Sequence, residues 1–179
     1  IVSGVNQGAF RGTAVHRVME CLDFAGFVKL KQKNYFQIKI FVAEELVRMK
    51  KQKLITSEMA ELVNPYSIIK FLQTDTALRM AKAAERGDLF IEKPFVMDYQ
   101  GVLVQGIMDV FWLEENTIVL LDYKTDYVSE AEDLIMRYKT QLDLYADALS
   151  RVFSTQEASV VKTEKLIYSF RLQEVISVI

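Results

Sequence analysis

Along the first half of the chain apolar residues recur every three or four positions, and from about residue 89 onward they recur every second position. The change of period predicts helices followed by strands. "RGTAVHRVMECLDFAG" (11–26) reads as a helix, with Val15, Val18, Met19 and Leu22 on one stripe and Thr13 as its cap. A second helix is predicted over 35–53, ending in the basic run "RMKKQK". Short helices follow at 57–62 and 65–73, then one at 75–86 that Gly87 stops. "LFIEKPFVM" (89–97) and "GVLVQGIMDVFWL" (101–113) predict strands joined at Asp98–Gly101, and "TIVLLDYKT" (117–125) a third. Ser129 and Glu132 have capping-box spacing for a long helix to about Val152. "KLIYSFRL" (165–172) and "VISVI" (175–179) close the chain as strands. The order predicts an α/β fold: a central mixed β-sheet flanked by helices, with a helical N-terminal part.

The hairpin within 106–126 departs from its own pattern. If 114–117 is the turn, Leu113 pairs with Ile118, and the same register sets Asp109 opposite Asp122. Opposed residues hold their Cβ atoms about 4.5–5.5 Å apart, and like charges there repel. Lys124 points to the same side as Asp122, while Val110, Trp112, Val119, Leu121 and Tyr123 form the other, apolar side. A hard divalent cation offsets two facing acids, because Mg²⁺ takes carboxylate oxygens and keeps places for water and phosphate. An ammonium beside it orients water or neutralises developing charge. A buried Lys–Asp ion pair with a further acid at a strand end would give the same pattern.

Other groups bear on the same place. Glu92, in "IEKPF", alternates with Phe90 and Pro94 in a regular strand and is either a third acid or an edge-strand surface residue. His16 is the single histidine, with Glu20 one turn on; it reads as a ligand or as a core histidine. Gln141 and Tyr145 lie one turn apart on a stripe with Leu134, Tyr138, Ala148 and Leu149, and a buried amide in such a stripe needs partners. Arg48, Lys50, Lys51 and Lys53 form either a phosphate contact or a solvated helix end.

Composition narrows the classes. A net charge of −2 over 179 residues gives no electrostatic case for a free-standing nucleic-acid binder. One cysteine, Cys21, excludes an internal disulfide, a Cys-ligated zinc and an iron–sulfur cluster, and fits a reducing compartment. No apolar run approaches the roughly 18 residues of a membrane span, and no signal peptide is evident. Two prolines and seven glycines leave no room for a linker, so one domain over 1–179 is expected. The absence of an initial methionine leads us to expect a segment of a longer chain.

Taken in order, "GTAVH", "EKPF", "GIMD", "DYKT" and "QLDLY" resemble the motif series of the RecB-type nuclease domains of the PD-(D/E)XK superfamily. Within it the likeness is to the C-terminal nuclease domains of AddA-type helicase/nucleases. The resemblance implies a restriction-endonuclease-like fold and Mg²⁺-dependent hydrolysis of DNA phosphodiesters, with Mn²⁺ as a substitute. His16, Asp109, Asp122 and the main-chain carbonyl of Tyr123 would be its metal ligands, and Lys124 would act with Asp122 and Asp109 in catalysis. Gln141 and Tyr145 would support the site and contact DNA, with Glu92 as a further acid. The implied partners are DNA, the helicase portion of the same polypeptide and an AddB-like partner subunit. A role in processing double-strand ends for recombinational repair, in the bacterial cytoplasm at the nucleoid, would follow. No Walker motif occurs in this segment. A non-catalytic DNA-binding or docking module of the same fold, and a stand-alone nuclease of the superfamily, are the competing readings.

Overall fold

The computed structural model describes residues 5–153 and 162–179. By its internal contacts the chain forms two compact units, Ile1–Glu85 and Arg86–Ile179.

The first unit is helical: α1 (Val5–Cys21), α2 (Phe24–Val28), α3 (Tyr35–Lys51), α4 (Ser57–Leu62), α5 (Pro65–Leu72) and α6 (Asp75–Arg86), whose last residue begins the second unit. Polar side chains set the helix starts. Asn34 Oδ1 accepts from the Gln37 N–H at 3.0 Å, Thr56 Oγ1 from the Met59 N–H at 3.1 Å, and Asn64 Oδ1 from the Tyr66 N–H at 3.1 Å. Pro65 follows Asn64 at the first helical position, where its missing N–H costs nothing. Thr13 is not a cap. The helix starts earlier, and the Thr13 hydroxyl donates back to the Ala9 carbonyl at 3.1 Å, a bond available only inside a helix. Gly87, at φ +82°, ends α6 in the left-handed conformation that a Cβ would penalise.

Arg48 does not join a basic surface. It grips the buried Glu45 carboxylate through two bonds of 2.6 Å and donates to the Cys21 carbonyl at 2.7 Å. Glu45 in turn accepts from the Asp23 N–H at 2.9 Å, so one ion pair ties α3 to the end of α1 and the start of α2. That bond to Glu45 raises the Arg48 pKa above its already high ordinary value. Beside it Phe24 meets Phe71 edge-on and Phe27 packs against Phe41.

The second unit is a five-stranded sheet in the order β1 (Leu89–Tyr99), β2 (Val102–Glu114), β3 (Thr117–Lys124), β4 (Lys162–Ser169), β5 (Glu174–Ser177). The three pairs β1–β2, β2–β3 and β4–β5 are antiparallel, and β3–β4 is parallel, bridged by α7 (Ala131–Phe153). The sheet is therefore mixed, as the pattern predicts. One face of β2 and β3 buries Val110, Trp112, Val119, Leu121 and Tyr123. On the other, α7 lays Leu134, Leu142, Tyr145, Ala148 and Leu149 over Phe111, Ile118 and Leu120. Because α7 starts at Ala131, Ser129 falls outside the flanking position that a capping box requires.

Candidate active site

The site lies where β2 and β3 part. Leu113 pairs with Ile118 as the sequence predicts, although the turn is tighter: Glu114 pairs with Thr117 across Glu115 and Asn116. The ladder runs to Val110 opposite Leu121. One step further, a side chain takes over from the backbone: Asp109 Oδ2 accepts the Tyr123 N–H at 2.8 Å. Asp109 thus gives a part-buried backbone donor its acceptor where the ladder ends, and β3 carries Asp122 and Lys124 onward.

Glu92 and Asp109 mark a second irregularity. The β1–β2 register is the same on both sides of them, with Ile91 opposite Val110 and Lys93 opposite Met108, so these two acids face each other. Yet the faces change. Phe90 and its partner Phe111 stack and both meet Phe153 of α7. Phe95 meets Tyr145 of α7, and its partner Gly106 faces the same rings. Positions five apart point to opposite sides of a regular strand, so each strand changes phase once in between. Glu92 takes φ +50°, the left-handed conformation that non-glycine residues occupy at a cost. Hence Glu92 does not continue the alternation of Phe90 and Pro94. It is the pivot, and one of its carboxylate oxygens lies within 4.8 Å of one of Asp109.

Asp122 is 2% exposed. Its Oδ2 pairs with Lys124 Nζ at 2.5 Å. Its Oδ1 is 3.5 Å from Gln141 Nε2, which also donates to the Tyr145 hydroxyl at 2.9 Å. The amide noticed in the stripe of α7 therefore has its partners. Burial lifts the Tyr145 phenol above its usual range; the Gln141 bond opposes this, and the charges of Asp122 and Asp109 add to it. Burial, then the charge of Asp109, pushes the Tyr123 phenol well up. His16 lies half-buried on α1, in the first unit.

Two residues of this region escape the sequence reading. Tyr138 places its ring centroid 4.0 Å from Lys124 Nζ and donates its hydroxyl to Asp126 Oδ1 at 2.8 Å. Burial and that bond raise its pKa to about 12. The signal was its place three residues before Gln141, on the same stripe. Gly106 is the other: a Cβ there would stand 2.9 Å from Phe95 Cε1 and 3.3 Å from Tyr145 Cε1.

Glu92 and Asp109 approach each other, Asp122 on the next strand pairs with the Lys124 ammonium, and the Tyr123 carbonyl is adjacent to Asp122 in sequence. This oxygen-rich, acid-dominated donor set fits a hard divalent cation. No helix among the described residues is long and apolar enough to cross a membrane.

Comparison with known proteins identifies the family. The family model described as "PD-(D/E)XK nuclease superfamily" matches residues 4–175. The A component of the ATP-dependent helicase/nuclease of Clostridioides difficile (strain 630) is 35% identical over 95% of this chain. That of Clostridium perfringens (strain ATCC 13124) is 33% identical over 94%. The chain spans only 14% of the length of each. A family model covering nearly the whole chain, with relatives at this identity, establishes that the chain belongs to the PD-(D/E)XK nuclease superfamily.

Proposed function

We propose that this chain is the nuclease domain of an AddA-type helicase/nuclease and hydrolyses DNA phosphodiesters with Mg²⁺, Mn²⁺ substituting. The observation that carries the reading is the convergence of Asp109, Asp122 and Lys124 where β2 and β3 part, with Asp122 buried and paired to the lysine. Asp109, Asp122 and the Tyr123 carbonyl would hold the cation, with Glu92 beside Asp109 as a further acid. When bound, the cation supplies positive charge against the phosphate and lowers the pKa of water. Lys124 brings N–H donors and a fixed charge to the reacting phosphate, where charge develops. Gln141 and Tyr145 hold the Asp122 carboxylate in place from α7. In the parent protein the domain would cut strands delivered by the helicase portion, in concert with an AddB-like partner, during end processing for recombinational repair.

Incubation of the chain with linear DNA tests this. Cleavage is expected with Mg²⁺ or Mn²⁺ and not with chelator, and Lys124→Ala is expected to abolish it in a chain that still folds, as its circular dichroism would show. Gln141→Ala is expected to slow it less. Cleavage in chelator, or a Lys124→Ala variant that cuts at the wild-type rate, would overturn the reading.

A further inference from the structure

A lysine at a strand end ordinarily keeps its ammonium in water, on a stem with four rotatable bonds. Lys124 does otherwise. Its side chain is 14% exposed, its Nζ is 2.5 Å from Asp122 Oδ2, and the ring of Tyr138 closes on it at 4.0 Å from centroid to Nζ. A cation against an aromatic face is held electrostatically, and more firmly when desolvated. The ring is itself held. Its hydroxyl donates to Asp126 Oδ1 at 2.8 Å, on the loop between β3 and α7, and Arg137 Nη1 lies 3.7 Å from the same oxygen. Donation to a carboxylate also enriches the ring in electrons, which strengthens its face towards a cation. The ammonium is thus bounded by a carboxylate and by a tethered ring.

We propose that Tyr138 is a positioning residue for the nuclease reaction: its ring, tethered by Asp126, seats the Lys124 ammonium against Asp122 and fixes where it meets the phosphate. This rests on the reading of Lys124 as the catalytic lysine.

Two measurements on the chain test it. The first is steady-state cleavage of a single-stranded oligonucleotide with Mg²⁺. Tyr138→Leu is expected to lower kcat about 10-fold or more with KM unchanged, since small misplacements of reacting groups cost up to about 100-fold. Tyr138→Phe, which keeps the ring and loses the tether, is expected to recover most of that loss. The second is the NMR shift of the Lys124 Cε methylene without metal or DNA. An upfield ring-current displacement is expected in wild type and Tyr138→Phe, and its loss in Tyr138→Leu. Loss of the displacement with kcat at the wild-type value would overturn the proposal, as would a raised KM with kcat intact, which would make Tyr138 a DNA contact. An undisplaced Cε methylene in wild type would remove the seat itself. Lys124→Ala cutting at the wild-type rate would overturn the underlying reading and with it the role of Tyr138 in the reaction, while the displacement would still report the seat.

Discussion

Asp109 serves two ends with its two oxygens. One accepts the Tyr123 N–H inside the protein, and the carboxylate also faces Glu92. The two ends separate by substitution. Asp109→Asn keeps a carbonyl oxygen for Tyr123 and removes one negative charge from a crowd of acids. The metal-free variant is expected to melt at or above the wild-type midpoint. Asp109→Ala leaves a part-buried N–H unpaired and is expected to cost about 1–3 kcal/mol. Both are expected to lose stabilisation by Mg²⁺, because a ligand bound only to the folded state raises stability by mass action. Melts of the three proteins with and without Mg²⁺ check this; an Asn variant that melts lower yet still responds normally to Mg²⁺ would contradict it. Gly106 is a residue of the opposite kind, needed for what it lacks. Its missing Cβ admits the rings of Phe95 and Tyr145. Gly106→Ala is expected to displace the Phe95 ring and, by less, Tyr145, and to cost about 1–3 kcal/mol by overpacking, with slower cleavage as Gln141's partner shifts.

At the level of elements, regular periodicity was legible and its interruptions were not. The register of β2 against β3 followed from the assumed turn together with alternation, because a slip of one residue would exchange the buried and polar sides. The helices over 57–62 and 75–86 were legible, and the end of the second followed from Gly87. The phase change at Glu92 was invisible, since alternation assumes a strand without a left-handed residue. Tyr138 read as core because an aromatic stripe looks the same whether it packs on leucine or on an ammonium. Arg48 read as surface because its partner Glu45 lies one turn back on its own helix, on the buried side. The link between α7 and β4 makes a prediction at this scale. Asp143 Oδ1 pairs with Lys165 Nζ at 2.5 Å, and that bond lowers the Asp143 pKa. A carboxylate depressed in the folded state contributes stability above its unfolded pKa of about 3.9 and loses it as pH falls through the lower folded value. Wild type is therefore expected to melt above Asp143→Asn at pH 7, with the difference shrinking as pH falls below the ordinary carboxylate range in a series of thermal melts.

For the whole molecule, the crossover from β3 to β4 has a consequence in time. Strands β1 to β3 are joined by short turns and need no distant partner, whereas Thr117 pairs with Lys162 only after α7 has returned along the sheet. Local pairings close loops sooner than distant ones. The acids and the lysine belong to the early meander, while Gln141, Tyr145 and Tyr138 arrive with the helix. Trp112, the single tryptophan, is fully buried on β2 and reports on that sheet. In refolding from denaturant its fluorescence change is expected to precede the recovery of DNA cleavage; simultaneous recovery would show one cooperative step. A chain emerging from the ribosome would thus assemble its charged groups before acquiring the helix that disciplines them, and would be inert as a nuclease until that last piece docks.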